Sequence, residues 1–307
     1  MLYILLGISA GFGIALQTVF NTRLRTVLHS PLLASMVSFG VACLIIFALL
    51  LGNDGLGLHI PTNTPFWVWL GGVFGVVGLT TTIILFPHLG GVQTSLMIIL
   101  GQVLMGLLID HFAWFGSQEY ALAFSRMCGT LLVLVGSFAV IALPALKTGV
   151  FSQIQAQGLW LWRLFGILAG MSVASQSAIN GQLGQLLGSP LQATLVSLIA
   201  SLLALGAWIS LKNLQEWGNF RQLRHVKLPL WAWCGGVMGA LFVASNTLLV
   251  PHIGTGQTVL FGLFGMLLGS VCVDQFGWFG ASKKPLIIGQ LVGLVTVFVG
   301  VGIIRLA

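Results

Sequence analysis

Residues 7–38 read GISAGFGIALQTVFNTRLRTVLHSPLLASMVS, and residues 166–197 read GILAGMSVASQSAINGQLGQLLGSPLQATLVS. The two stretches align without a gap and share glycines, a Gln and an Asn four residues apart, and a Ser-Pro pair. Three shorter matches follow in the same order: WVWLGGVFG (67–75) with WAWCGGVMG (231–239), FPHLGGVQT (86–94) with VPHIGTGQT (250–258), and DHFAWFG (110–116) with DQFGWFG (274–280). The chain is therefore an internal duplication, and we predict two units, residues 1–150 and 151–307.

Composition places the chain in a membrane. Of its 307 residues 57% are hydrophobic and 6% are charged, and the mean hydropathy is +1.06. Soluble domains carry about 25% charged residues, so this chain could not cover its surface in water. A membrane helix needs about 20 apolar residues, and no stretch alternates as a membrane β-strand does. We predict an all-α membrane protein with ten transmembrane helices: 2–21, 31–51, 66–86, 91–110, 121–143, 162–181, 190–211, 230–250, 256–274 and 285–306.

The odd number of helices in each unit predicts opposite orientations. If each unit crosses the membrane five times, the second unit enters from the other side, which is the inverted repeat of many secondary transporters. Ten of the twelve Lys and Arg residues fall in loops on one side: Arg23, Arg25, Lys147, Arg163, Lys212, Arg221, Arg224, Lys227, Lys283 and Lys284. Basic loops face the cytoplasm, so we expect both termini outside.

The repeated motifs point to a family. GxxAGxxxAxQxxxN in the first helix, a Ser-Pro pair that opens the second, PHxGxxQT before the fourth and DxFxWFG after it together resemble the YdcZ-type branch of the drug/metabolite transporter superfamily, in a fused two-unit form. This resemblance implies a DMT-like fold of two inverted five-helix repeats in the inner membrane, with a central cavity between them. It supplies neither a substrate nor catalytic residues.

The function that we expect is secondary transport. The protein would move a small polar or amphipathic solute across the cytoplasmic membrane by alternating access. The sequence carries no phosphate-binding loop, zinc-protease motif or nucleophile elbow, so we expect no enzyme activity, no cofactor and no metal. The expected partners are the solute and membrane lipids, not nucleic acid, and a homo-oligomer is left open. The alternative is a non-transporting membrane scaffold or lipid-handling protein.

Two matched pairs of amides are the candidate substrate-binding residues. Gln17 and Asn21 lie one helical turn apart in the first apolar stretch, and Gln176 and Asn180 repeat them in the sixth. An amide that faces lipid leaves its donors and acceptors unpaired, so these side chains must face protein or a water-filled cavity. Two interpretations stay open: the amides line the solute pathway, or they form hydrogen bonds between helices.

Five further residues are candidates for gating or coupling. His88 and His252 each follow a proline in the links before the fourth and ninth spans, where they serve either a structural turn or a proton-sensing gate. Asp110 and Asp274 end those spans, and Arg126 lies early in the fifth, within reach of Asp110. Neither the first nor the sixth span contains a carboxylate, so any proton coupling would fall to these acids or to a histidine.

Overall fold

The computed structural model describes the chain except residues 53–56, 58–59, 62–63, 148–158, 213, 282, 284 and 307, and gives the backbone alone for 82–83, 86–87, 90–92, 145, 147, 224 and 305–306. Within this described part the chain is helical and contains no strand. The α-helices are α1 (Leu2–Leu28), α2 (Pro31–Gly52), α3 (Gly71–His111), α4 (Phe124–Lys147), α5 (Trp160–Leu186), α6 (Pro190–Lys212), α7 (Gly235–Ile253), α8 (Thr255–Phe276) and α9 (Ile288–Leu306). Short 3-10 helices span Phe66–Leu70, Trp114–Gly116, Leu214–Arg224, Leu230–Cys234 and Trp278–Gly280.

The repeated Ser-Pro pairs begin α2 and α6. Ser30 Oγ accepts a hydrogen bond from the Leu33 amide at 3.2 Å, and Ser189 Oγ accepts one from the Gln192 amide at 3.3 Å. A serine before the first turn satisfies an amide that has no partner inside the helix, and the proline that follows lacks an amide that would need one. The same local chemistry thus starts the second helix of each repeat.

Most of these helices are long and apolar enough to cross a membrane. Seven segments of the described residues meet that condition: Leu2–Leu28, Pro31–Gly52, Gln93–His111, Phe124–Pro144, Pro190–Lys212, Leu230–Ile253 and Thr255–Phe276. Two shorter apolar helices span Phe66–Thr81 and Ile288–Ile304. Helix α5 contains the predicted sixth span but is not among the seven, because its serines, glutamines and glycines lower its hydropathy. The architecture is that of an all-helical, multi-pass membrane protein.

Helix α3 differs from the prediction, because the expected third and fourth spans are one uninterrupted helical stretch of 41 residues. A straight helix of that length would measure about 60 Å, twice the thickness of a bilayer core. The chain nevertheless doubles back, since a Cβ added at Gly166 of α5 would lie 3.4 Å from Leu85 and 2.7 Å from Met97. The first half of α3 runs antiparallel to α5, since Gly71 lies beside Asn180 and Leu85 lies beside Gly166. The second half, after Met97, runs parallel to α5. The prediction that a helix ends at Pro87 is therefore wrong. The chain nevertheless reverses its direction between Leu85 and Met97.

The matching segment of the second repeat does break. Helix α7 ends at Ile253 and α8 starts at Thr255, with Gly254 between them at φ 82° and ψ 163°. That positive φ is accessible to glycine and strained for other residues. The predicted Gly-rich turn between the eighth and ninth spans is thus present here.

The two repeats pack by exchanging their first helices. Helix α1 lies against α7 and α8 of the second repeat, and α5 lies against both halves of α3 in the first. The contacts match position by position: Gly7 faces Phe261 and Leu249, as Gly166 faces the equivalent Met97 and Leu85. Small residues permit this close approach, which dispersion rather than the hydrophobic effect must stabilise in lipid.

The last helices of the repeats form a pair of their own. A Cβ added at Gly129 of α4 would lie 2.7 Å from the Gly300 carbonyl oxygen of α9, and one at Gly136 would lie 2.6 Å from the carbonyl of Gly293. In the aligned repeats Gly129 is equivalent to Gly293, and Gly136 is equivalent to Gly300. The crossing of α4 and α9 therefore has the same pseudo-symmetry as the rest of the fold.

Candidate functional site

A cavity of about 130 Å³ lies between the two repeats. Its wall comes from α1, α3, α5, α7 and α8, through Ile14, Gln102, Val173, Ser177, Phe242, Asn246, Thr258, Val259, Gly262, Leu263 and Met266. Ile14 and Val173 are equivalent positions of the aligned repeats, and so are Gln102 and Met266. Both repeats therefore contribute to the cavity, although nine of the eleven lining residues belong to the second repeat.

The polar part of the wall is neutral. Asn246 Nδ2 donates a hydrogen bond to Ser177 Oγ at 3.2 Å, and Thr258 Oγ1 donates to the Gly254 carbonyl at 2.7 Å. Asn246 is 6% exposed, so its amide is held inside the protein rather than in bulk water. Gln102, the fourth polar side chain, is half-buried. Among the residues that line this cavity none is charged, which suits an uncharged ligand with hydrogen-bonding groups.

The four predicted amides pack against glycines of the opposite repeat. A Cβ added at Gly239 of α7 would lie 2.7 Å from Gln17 Nε2, and one added at Gly235 would lie 2.6 Å from Asn21 Oδ1. Asn21 Oδ1 also accepts a hydrogen bond from Ser38 of α2. The amides of α1 thus occupy the space that two glycines leave on α7.

The amides of α5 repeat this arrangement on α3. Gln176 lies over Gly75, where an added Cβ would be 2.7 Å from its Cδ, and Asn180 lies over Gly71. The Asn180 Oδ1 atom is buried without a hydrogen-bond partner among the described residues. None of the four amides is among the residues that line the cavity. As substrate ligands they stay a prediction, and the geometry places them between helices.

Asp110 and Arg126 lie together, as their spacing suggested. Asp110 is 0% exposed, and its carboxylate accepts hydrogen bonds from the amides of Thr255 and Gly256, at 2.7 and 2.9 Å. Arg126 Nη2 is 4.0 Å from Asp110 Oδ2, and Arg126 Nη1 donates to the Tyr120 carbonyl at 3.2 Å. The acid of the first repeat therefore holds the first turn of α8 in the second, where the helix dipole favours a negative charge.

The two histidines contact aromatic residues at equivalent positions of the two repeats. His88 lies on Trp162 with ring centroids 3.8 Å apart and the planes 9° from parallel. His252 lies against Tyr3 with centroids 4.8 Å apart and the planes at 43°. Trp162 and Tyr3 open the first helix of each repeat, so each histidine joins one repeat to the other. Both histidines are exposed, and Asp274 is half-buried near the end of α8.

A second, much smaller pocket of about 10 Å³ is lined by Phe115, Gly116, Ser117, Gln118, Ala178, Gly181, Gln182, Gln185, Val250 and Pro251. Val173 and Ser177 of α5 face the central cavity, while Gly181 and Gln185 face the small pocket. These four residues are spaced by four, so they share one face of the helix, which we call the pathway face of α5. The sequence prediction missed this face, because it is one position away from the conspicuous amides and carries only small or weakly polar residues.

Comparison with known proteins agrees with this geometry. The family model described as "Putative inner membrane exporter, YdcZ" matches residues 2–139 and 161–303. The chain belongs to this family. The predicted resemblance is thereby confirmed, and the matched residues fall in both units. The family is one of membrane exporters rather than a class of enzymes.

Two individual proteins are similar to this chain, one in sequence and one in structure. The inner membrane protein YdcZ of Escherichia coli (strain K12) is 26% identical over 137 residues, which are 43% of this chain and 90% of that protein. That relative is therefore about as long as one of the two repeats. A solved crystal structure superposes with a TM-score of 0.66 at 14% identity and covers 96% of this chain and 95% of that chain, which shows a shared fold. Together with the apolar helices, these matches support a multi-pass protein of the inner membrane.

Proposed function

We propose that this protein is a secondary transporter that moves a small, uncharged polar or amphipathic solute across the inner membrane by alternating access. The observation that carries the proposal is the cavity of about 130 Å³ where α1 and α3 of the first repeat meet α5, α7 and α8 of the second. Export is the direction that the family's description gives. Family membership gives neither the class of substrate nor the alternating-access mechanism, and we propose both.

The size and lining of the cavity limit the solute. A cavity of about 150 Å³ in another protein holds a benzene molecule, so a space of 130 Å³ suits a solute of roughly six non-hydrogen atoms. One part of the wall offers hydroxyl and amide groups, and the rest is aliphatic or aromatic. An ion would lose its hydration without gaining a charged partner from the lining residues, which argues for an uncharged solute.

The arrangement of the repeats supports alternation. The doubling back of α3 supports five crossings for the first repeat, and the matched contacts of α1 and α5 support a pseudo-two-fold relation between the repeats. We propose ten crossings in two inverted units, 1–150 and 151–307, with the basic loops in the cytoplasm and both termini outside. In inverted repeats the units can exchange conformations, which opens the central site first to one side and then to the other.

Filling the cavity tests this proposal. Gly262 lines the cavity, and a Cβ added there would meet only Phe242, at 3.6 Å, so Gly262→Leu can be accommodated by occupying the cavity itself. Gly40→Leu is the matched control, because nothing lies within 4 Å of a Cβ added at Gly40 of α2. The purified protein is screened by thermal shift against small neutral solutes, since a ligand that binds the folded state raises its melting temperature.

The expected result is a solute that stabilises the wild type and Gly40→Leu but not Gly262→Leu. The same solute, loaded into proteoliposomes, is expected to exchange across the membrane in the first two proteins and not in the third. A stabilising solute whose effect survives Gly262→Leu would place binding elsewhere. A wild type that no small neutral solute stabilises would refute the proposed substrate class.

A further inference from the structure

Equivalent helices of the two repeats differ in burial at one end. On the pathway face of α5, Ser177 and Gly181 are buried, whereas their equivalents on α1, Thr18 and Thr22, are exposed. The first residue of each face lines the central cavity, Val173 on α5 and Ile14 on α1. In the two turns that lead away from the cavity, this face is therefore buried on α5, at Ser177 and Gly181, and exposed on α1, at Thr18 and Thr22.

The same difference appears in the helical hairpins that face α5 and α1. Ser245 and Val259, in α7 and α8, are buried, while the equivalent Thr81 is half-buried and Ser95 is exposed. We call the end formed by residues 110–120, 250–256 and the last turns of α5 the Asp110 end. The equivalent end, formed by residues 274–281, 88–89 and the last turns of α1, is the Asp274 end. The structure is closed at the Asp110 end and more open at the Asp274 end.

Direct packing closes the Asp110 end. A Cβ added at Gly181 would lie 2.9 Å from Val250 and 3.4 Å from the ring of Pro251, so α5 is in contact with the end of α7. The small pocket of about 10 Å³ lies beside that contact. The equivalent of Gly181 is the exposed Thr22, whose hydroxyl donates to the Thr18 carbonyl of its own helix at 2.8 Å.

A cluster of polar bonds holds this closure. Asp110 accepts the Thr255 and Gly256 amides, and Ser117 and Thr255 hydroxyls lie 3.3 Å apart. Tyr120 adds a second link, because its ring lies 2.8 Å from the position of a Cβ at Gly254. All of these contacts join the last turn of α3 and the segment after it, in the first repeat, to Gly254 and the first turn of α8, in the second.

The Asp274 end differs from the Asp110 end at two equivalent positions. The equivalents of Ser117 and Arg126 are Ala281 and Gln290. Gln290 is engaged elsewhere, since its Nε2 donates to the Val140 carbonyl at 3.3 Å and its Oε1 accepts the Ile287 amide at 3.2 Å. Arg126, which lies 4.0 Å from Asp110, and Ser117, whose hydroxyl lies near that of Thr255, thus have no residue of the same type at the equivalent positions.

We propose that Asp110 is a conformational latch: its bonds to the start of α8 keep the Asp110 end closed, and their release lets that end open while the Asp274 end closes. This inference rests on the proposed transport function, whose regulation it names. With the orientation predicted from the basic loops, the latch closes the outer end of the pathway. Asp110 is a positioning residue, since it holds helices and lies outside the cavity wall.

Distances between spin labels at both ends test the latch. The four cysteines are first replaced by alanine. One labelled pair, Glu119→Cys with Gln185→Cys, spans the Asp110 end, and the equivalent pair, Lys283→Cys with Thr26→Cys, spans the Asp274 end. All four positions are exposed, so labels should be tolerated. Double electron–electron resonance then gives the distance distribution at each end.

Two variants release the latch in different ways. Asp110→Asn removes the charge of the acceptor. Thr255→Pro removes one donor and leaves the acid intact, at the first residue of α8, where proline is well tolerated. A hydrogen bond to a charged group contributes about 1.5–3 kcal/mol, so we expect the ratio of open to closed Asp110 ends to rise roughly tenfold or more. The Asp274 distances should shorten in the same population.

The outcomes are separable. Unchanged distributions at both ends, in variants that retain the helical content of the parent, would overturn the latch. So would a loosening of both ends together, since that is what a purely structural contact gives. If Asp110→Asn does not fold, Thr255→Pro decides alone. If the distances shift as expected but no solute binds or exchanges, the latch stands and the proposed transport function fails.

Discussion

The packing of amides over glycines predicts a rescue between two substitutions. Gly75→Ala places a methyl group 2.7 Å from Gln176 Cδ, well inside van der Waals contact. Overpacking of this kind costs about 1–3 kcal/mol, while replacement of glycine by alanine within a helix contributes up to about 1 kcal/mol in the opposite direction. Because the methyl group meets the flexible end of Gln176, we expect Gly75→Ala to lower the free energy of unfolding by up to about 2 kcal/mol.

The second substitution should restore part of that loss. Gln176→Ala removes the side chain that the methyl group meets, and by itself it costs about 0.6–2 kcal/mol of contacts between helices. In the double variant the methyl group fills space that the amide has left, so the two effects should not add, with a coupling of about 1 kcal/mol or more. The mirror pair, Gly239→Ala with Gln17→Ala, should behave in the same way.

Unfolding in SDS, followed by circular dichroism, measures these free energies. Gly40→Ala is the control, because nothing lies within 4 Å of a Cβ added there, and it should leave the protein as stable or slightly more stable. Additive losses in the double variants would show that the amides do not fill the glycine grooves, and the reasoning would then be wrong. The same variants also test the solute-binding interpretation, since amides that act only between helices should leave the thermal shift of a bound solute intact.

Two further comparisons use residues that are equivalent in the repeats. Ser30→Ala and Ser189→Ala each remove a helix cap worth about 0.5–2 kcal/mol, but Ser30 Oγ also donates to Glu216 at 2.9 Å, so its loss should cost about 1 kcal/mol more; equal effects in SDS unfolding would contradict this. Asp110→Asn should destabilise more than Arg126→Gln, because the acid holds two backbone amides as well as the arginine. We expect about 2–4 kcal/mol against about 1–2 kcal/mol by the same measurement, and the reverse order would place the main contribution in the ion pair.

The candidate site could be predicted from the sequence only in part. Helical spacing placed Gln17 and Asn21 on one face, but spacing does not tell which neighbour that face meets. That neighbour is α7 of the opposite repeat, which lies more than 200 residues away in the chain. The neutral wall around Asn246 and Ser177 went unnoticed because each residue, taken alone, is ordinary in a membrane helix.

The contacts of Asp110 and Arg126 were also predictable from the sequence only in part. The short link between Asp110 and Arg126 made their contact plausible, and the structure brings them to 4.0 Å. The stronger partners of the acid, the amides of Thr255 and Gly256, lie about 145 residues downstream. Backbone amides carry no sequence signal of their own, so this part of the interaction appears only once α8 is in place.

By itself the sequence determined the solvent, the duplication and the family. Apolar stretches of about 20 residues can be stable only in lipid, and the gapless match of 7–38 to 166–197 requires two copies of one unit. The tertiary structure decided which faces meet: the amides over glycines, the cavity between the repeats, and the closure at one end by Asp110. These depend on contacts between distant parts of the chain. Helical spacing puts polar side chains on one face of a helix, but the sequence of that helix cannot specify which neighbour the face meets.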